Sequence, residues 1–169
     1  EYGHVVAGQA FGHKIKDVHM WAAGELARFE DVPRGEMSEF WVAVAGPAVN
    51  AAIFFVIAAG FELTNATPNF EGNPFAHAPT SAEFWTIFAA WNVLMGAFNL
   101  LPVFPSDGGR ALRSLLTQVV GFEKATAVAS GLGMIGGAAL ATVGALTGNL
   151  LLILVGAFFG VAAYAEKKS

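Results

Sequence analysis

Cysteine is absent from this chain, which excludes disulfides, thiolate metal sites and a cysteine nucleophile. Charge is the second shortage. Asp, Glu, Lys and Arg make up 13% of the residues, against about 25% in a soluble globular domain. That is too little charge to cover the water-facing surface of a 169-residue protein. Basic residues are scarcer still: nine against thirteen acidic ones, for a net charge of −4. Without a basic patch the chain is not built to hold nucleic acid. It has no internal repeat and no low-complexity tract. What is abundant is apolar: 55% of residues, with a mean hydropathy of +0.55. These proportions belong to a membrane protein, whose obligatory partner is the lipid bilayer.

The uncharged stretches fix the expected layout. Phe40–Phe61 and Phe84–Ser106 contain no Asp, Glu, Lys or Arg and each run just over 20 residues. At 1.5 Å per residue that crosses a hydrocarbon core of ~30 Å. Ala125–Ala165 is about twice as long, and Thr147-Gly148-Asn149 reads as a turn within it. The expectation is an all-α polytopic membrane protein, a single core domain over 1–169. It has four complete transmembrane helices at 39–61, 84–106, 125–146 and 150–165. Residues 1–12, "EYGHVVAGQAFG", read as the end of a fifth. Residues 13–38 differ in pattern. Lys14–Met20 alternates polar and apolar, and Glu25–Glu30 does so again after Ala23-Gly24. The period of two predicts a short membrane-associated β segment near 13–30. Residues 62–83 are rich in Pro and Asn and read as a loop.

Cation placement tests this threading. Lys14, Lys16, Arg28, Arg34, Arg110, Arg113, Lys124, Lys167 and Lys168 all fall on one side of four spans, and loop 62–83 has none. The positive-inside rule makes that side cytoplasmic, in a multi-pass protein of the cell membrane.

Two places carry candidate chemistry. In "NLLPVFPSDGGR", Pro102 and Pro105 break a helix beside Asp107. Broken backbone at membrane depth survives only where it is buried or lines a cavity. An ionisable group there is a functional candidate by default. The plainer alternative makes Asp107 the N-cap of a following helix at 109–119. The second place is the opening "EYGH". In a helix Glu1 and His4 share a face. A histidine before Glu1 would lie one turn from His4, the spacing at which two imidazoles share a zinc ion. The plainer alternative is a terminal Glu and an interfacial His. Both places sit toward the cytoplasmic ends of their helices, so His4 and Asp107 can meet there. His13, His19 and Asp17 read as interfacial groups, and His77 lies on the opposite side. Gly46 and Asn50 read as helix-packing positions.

Taken together, "EYGH", Gly46-Pro47-Ala48-Val49-Asn50 and Asn99-Leu100-Leu101-Pro102-Val103-Phe104-Pro105-Ser106-Asp107-Gly108 resemble the site-2 protease family of intramembrane zinc metalloproteases. That family carries H-E-x-x-H in one helix, then a strand segment, a G-P-x-x-N helix and an N-x-x-P-x-x-P-x-D-G helix end. The order matches along nearly the whole chain. Ser106 departs from the family's usual Leu. The resemblance implies one Zn²⁺ ion with His4 and Asp107 as ligands. A third ligand is expected from a histidine preceding Glu1. It implies Glu1 as general base and Asn99, two turns before Asp107, as an oxyanion-stabilising or substrate-positioning side chain. Single-pass transmembrane proteins are the implied substrates, cut by regulated intramembrane proteolysis. The competing expectation is a polytopic transporter or channel, or a catalytically inactive homologue. Substrate-binding residues and oligomeric state are not legible.

Overall fold

The computed structural model describes residues 2–12, 15–21, 24–29, 37–69 and 80–168, with 15–21 and 24–29 as backbone. Glu1, His13, Lys14, Arg34 and His77 lie outside the described residues, as do the side chains of Lys16, Asp17, His19 and Arg28. The elements run α1 (Tyr2–Ala10), β1 (Ile15–Trp21), β2 (Gly24–Phe29), α2 (Met37–Thr64), α3 (Ser81–Asn99), α4 (Asp107–Val120), α5 (Phe122–Thr147) and α6 (Leu150–Lys168). Helix dominates. β1 and β2 pair antiparallel, from Ile15 opposite Phe29 to Trp21 opposite Gly24, with an irregularity between Ile15 and Asp17.

Three helices among the described residues have the length and apolarity to cross a bilayer: α2, α5 and α6. Of the four complete spans expected, three meet this measure, and α3 is the one that falls short. It stops at Asn99 instead of continuing to 106, and its 19 residues include Glu83, Asn92 and Asn99. Those polar groups dilute its hydropathy. The prolines at 102 and 105 disfavour helix from just ahead of them. Its start is well defined. Thr80 accepts from the Glu83 backbone N–H at 3.3 Å, and Glu83 Oε2 accepts from the Thr80 N–H at 2.7 Å. This reciprocal capping box also gives the buried Glu83 carboxylate its partners.

α3 returns antiparallel along α2. Gly96, near the end of α3, packs on Asn50 and Pro47. At the other end the Asn69 N–H donates to Thr86 Oγ1 at 3.0 Å. α5 and α6 form a second antiparallel pair. Gly148 ends α5 at φ 67°, a left-handed cap that side chains disfavour. Asn149 Oδ1 then accepts from the Leu152 N–H at the start of α6. The two helices touch through glycine: a Cβ at Gly137 would lie 2.6 Å from Gly156 O and 2.7 Å from Gly160 N. Small residues at such contacts let backbones meet, which is how helices gain packing energy where lipid is as apolar as the side chains. The interior is correspondingly small-residue, with Phe104, Ala129 and Ala163 at its centre and Leu112 and Met134 around them. The large apolar side chains point outward. Phe55, Val56, Ile135, Leu151 and Val161 are all exposed, the arrangement of a lipid-facing surface.

The contact geometry makes neighbouring glycines unequal. Gly136 has open space where a Cβ would go, whereas at Gly137 the new atom meets backbone of α6. Gly136→Ala is expected to leave detergent-solubilised stability equal or raised by up to about 1 kcal/mol, the helix-propensity gain. Gly137→Ala is expected to lower it by about 1–3 kcal/mol through overpacking. Thermal unfolding of the two variants side by side checks this; equal stabilities would contradict the packing described.

Candidate active site

α1 lies against α2 through its first turns. A Cβ at Gly3 would stand 2.4 Å from the Ala45 carbonyl oxygen, so only glycine allows this approach. The same closeness puts the His4 ring over Gly46, where a Cβ would fall 2.2 Å from His4 Nε2. Gly46 was expected to serve helix packing; its open face in fact seats an imidazole. His4 is buried, and its Nδ1 lies 2.7 Å from the Val42 carbonyl oxygen. A carbonyl only accepts, so Nδ1 carries the proton and donates it there. The bond assigns the Nδ1 proton and leaves Nε2 as the ring nitrogen turned away from Val42.

Nε2 faces Asp107. His4 Nε2 and Asp107 Oδ2 are 3.1 Å apart, with both side chains mostly buried. Asp107 comes from a different direction, through the break between α3 and α4. Residues 100–106 fold back over the first turn of α4. A Cβ at Gly108 would stand 2.3 Å from both the Leu100 and Leu101 carbonyl oxygens, and one at Gly109 2.5 Å from the Val103 carbonyl carbon. Phe104 pins the loop in the core, its N–H 3.5 Å from the Ala129 carbonyl and its carbonyl against Gly133. Ser106 lies under the loop, its Oγ 2.6 Å from both the Leu101 and Val103 carbonyl oxygens. A leucine could not make these bonds, so the departure at 106 has a local structural use.

Two expectations are corrected here. Asp107 is not the N-cap of the following helix: Ser106 holds that position, and Asp107 is the first residue of α4. Its carboxylate is therefore turned toward His4, at a helix N-terminus that favours negative charge. Asn99 and Asp107 are not two turns apart on one helix. Asn99 closes α3, half-buried, and the loop separates it from α4.

The sequence reading missed an ion cluster beside the pair. Glu39, in the first turn of α2, is buried, and its Oε1 accepts from Arg113 NH2 and lies 3.9 Å from Arg110 Nε. Arg113, on α4, is buried too and also pairs with Glu166 near the end of α6. Its guanidinium sits over the Phe104 and Phe122 rings at 4.9 and 5.3 Å. Arg110 NH1 is 4.0 Å from Asp107 Oδ1. Glu39 alone in a helix's first turn reads as an ordinary helix-start acid. Its only sequence signal is adjacency to the apolar run that begins at Phe40.

The pair His4–Asp107 fits a divalent metal. With Nδ1 protonated, the Nε2 lone pair points at a carboxylate oxygen, and two acceptors stand in contact. A proton or a cation between them removes the repulsion. Tetrahedral zinc with bonds of about 2.0–2.2 Å sets its ligand atoms roughly 3.4 Å apart, close to the observed separation. No group of three metal-ligating side chains occurs among the described residues.

The apolar helices are those of a multi-pass membrane protein, and comparison with known proteins points to metalloproteases. Residues 66–143 match the model for peptidase family M50. A zinc metalloprotease of Methanocaldococcus jannaschii is 28% identical over 171 residues, covering 99% of this chain and 46% of that protein. A Mycobacterium tuberculosis relative is 29% identical over 175 residues, covering 99% of this chain and 42% of its own. The solved structure of the site-2 protease from Methanocaldococcus jannaschii superposes with a TM-score of 0.73 at 29% identity, over 98% of this chain and 71% of that one. The chain is therefore similar to the site-2 proteases along nearly its whole length, and zinc is the metal that the names of its sequence relatives carry. It spans under half the length of the two relatives compared by sequence.

Gly46→Ala tests the geometry directly. The new Cβ must displace the His4 ring, separating Nδ1 from Val42 and Nε2 from Asp107. Histidine-selective ¹⁵N NMR is expected to show an Nδ1–H tautomer for His4 in the wild type and its loss in Gly46→Ala. An unchanged signal would contradict the seat described.

Proposed function

We propose that this chain is the catalytic core of an intramembrane zinc endopeptidase that cuts single-pass transmembrane proteins. The observation that carries the reading is the convergence of His4 Nε2 and Asp107 Oδ2 at 3.1 Å, with the opposite ring nitrogen committed to Val42. In this reading one zinc ion is held by His4, Asp107 and a histidine preceding Glu1. α3 is a fourth crossing: its 19 residues make about 28 Å of helix, and it lies along α2. The cation placement supports an active site toward the cytoplasmic side of the cell membrane. The names of the relatives do not favour a transporter.

Zinc, when bound, supplies a Lewis acid for the peptide carbonyl and makes a water acidic enough to attack at neutral pH. The chain's own groups do the rest. The Val42 carbonyl holds His4 in the tautomer whose Nε2 can ligate. The Glu1 carboxylate takes a proton from the attacking water as its oxygen bonds to the carbonyl carbon. It then delivers that proton to the peptide nitrogen as the C–N bond breaks. The Asn99 side-chain amide donates to the oxyanion that develops. A transmembrane substrate must present its peptide bond as an extended strand, since helix buries the carbonyl in hydrogen bonds. β1 and β2 form a two-stranded sheet, and a membrane-associated sheet of this kind offers an edge for such a strand.

Two measurements on the full-length protein check this. Glu1→Gln is expected to retain zinc and lower kcat about 10²–10⁴-fold, whereas Asp107→Asn is expected to lose both zinc and cleavage. Full cleavage of a model transmembrane substrate by both variants would contradict the assignment. For the strand role, Ile15→Pro or Val18→Pro is expected to raise KM or abolish cleavage with zinc content unchanged. Unimpaired kinetics in both would remove the sheet edge from the account.

A further inference from the structure

The ion cluster beside the active site connects three helix ends to one metal-ligand candidate. Glu39 enters from the start of α2, Arg110 and Arg113 from α4, and Glu166 from the end of α6. Two of these groups, Glu39 and Arg113, are almost wholly enclosed. Removing a charge from water costs several kcal/mol unless it is paired and hydrogen-bonded, and such groups near a bilayer mark function. Arg113 pairs with two carboxylates and stands over two aromatic faces, which ties Glu39 to α4. Arg110 is the group left over. It stands between Glu39 Oε1 at 3.9 Å and Asp107 Oδ1 at 4.0 Å, with about a quarter of its side chain exposed.

The charges add up to a consequence. Glu39, Glu166 and Asp107 contribute three negative charges, and Arg110 and Arg113 two positive ones. The cluster is neutral except for one negative charge. Arg110 attracts one oxygen of the Asp107 carboxylate, Oδ1. The other, Oδ2, is the oxygen that faces His4. A carboxylate free to rotate would exchange its oxygens and tilt off the His4 direction. A guanidinium set between the buried Glu39 and Asp107 Oδ1, within ion-pair range of both, favours one of those arrangements.

We propose that Arg110, held by Glu39, is the positioning residue that orients the Asp107 carboxylate for metal binding. It acts from the Oδ1 side, so that Oδ2 and His4 Nε2 converge on the metal. Glu39 is its support, and Arg113 the anchor that makes a buried carboxylate possible at that place. The proposal rests on the reading of His4 and Asp107 as zinc ligands. Outer partners that orient a ligand typically contribute 10–100-fold to metal affinity or activity.

The test measures zinc affinity by chelator competition, together with kcat and KM on a model transmembrane substrate, in full-length protein. Arg110→Gln is expected to weaken zinc binding about 10–100-fold, and at limiting free zinc to lower kcat with KM unchanged. Arg110→Lys, which restores the charge, is expected to recover most of that affinity. Glu39→Gln is expected to weaken zinc as Arg110→Gln does, because it releases the Arg110 guanidinium. A purely structural role for Arg110 would lower thermal stability in both Arg110 variants without a charge-dependent recovery of zinc affinity. Wild-type zinc affinity in Arg110→Gln would overturn the proposal. Asp107→Asn in the same assay separates the two claims. If Asp107→Asn loses zinc and Arg110→Gln does not, only the positioning role fails. If Asp107→Asn binds zinc like the wild type, the ligand reading and the proposal fall together.

Discussion

A backbone that leaves helical geometry within a membrane protein must find its hydrogen bonds inside the protein, and that constraint governs the region from Leu100 to Ser106. The loop satisfies itself closely. Leu101 N–H donates to Phe98 O, Val103 N–H to Leu101 O and Ser106 N–H to Val103 O, while Ser106 Oγ reaches the Leu101 and Val103 carbonyls. Its one long anchor is Phe104, inserted beneath the Arg113 guanidinium and against α5. Without lipid-exposed polar backbone to solvate, the chain can reverse from α3 into α4 and bring Asp107 back to α1. The two glycines after Asp107 exist for that reversal, since any Cβ there meets loop carbonyls.

The same architecture explains why charge is scarce yet concentrated. Most of the surface faces lipid or packs through small residues, so few charged groups have a place. Those at the α2, α4 and α6 ends gather into one cluster of alternating sign, where each supplies the partner that burial of another requires. The cluster also ties the start of α2 to the end of α6. That contact demands that the intervening helices return the chain to the same end. It agrees with α3 running back along α2 and α6 back along α5.

Much of this was legible in the sequence, and the boundary between what was and was not has physical causes. Uncharged runs locate α2, α5 and α6 because bilayer thickness sets their length. Thr147-Gly148-Asn149 marks a turn because a left-handed cap favours glycine. The meeting of His4 and Asp107 followed from which helix ends share a side. The end of α3 was misplaced because lack of charge alone cannot tell helix from buried loop. Consequently Asn99 and Asp107 were assigned to one helix. The role of Gly46 was hidden because a glycine that seats a ring looks the same in sequence as one that packs a helix. Glu39 and Arg113 were hidden because pairing across 74 positions leaves no local pattern. Arg113 was read as a topology-setting cation when it is in fact a buried one.

Zinc K-edge X-ray absorption on the full-length protein tests the central claim most directly. The account predicts a shell of nitrogen and oxygen donors at about 2.0–2.2 Å, without sulfur near 2.3 Å, that loses a donor or the metal itself in both His4→Ala and Asp107→Asn. A sulfur-containing shell, or a shell identical in the wild type and both variants, would contradict it.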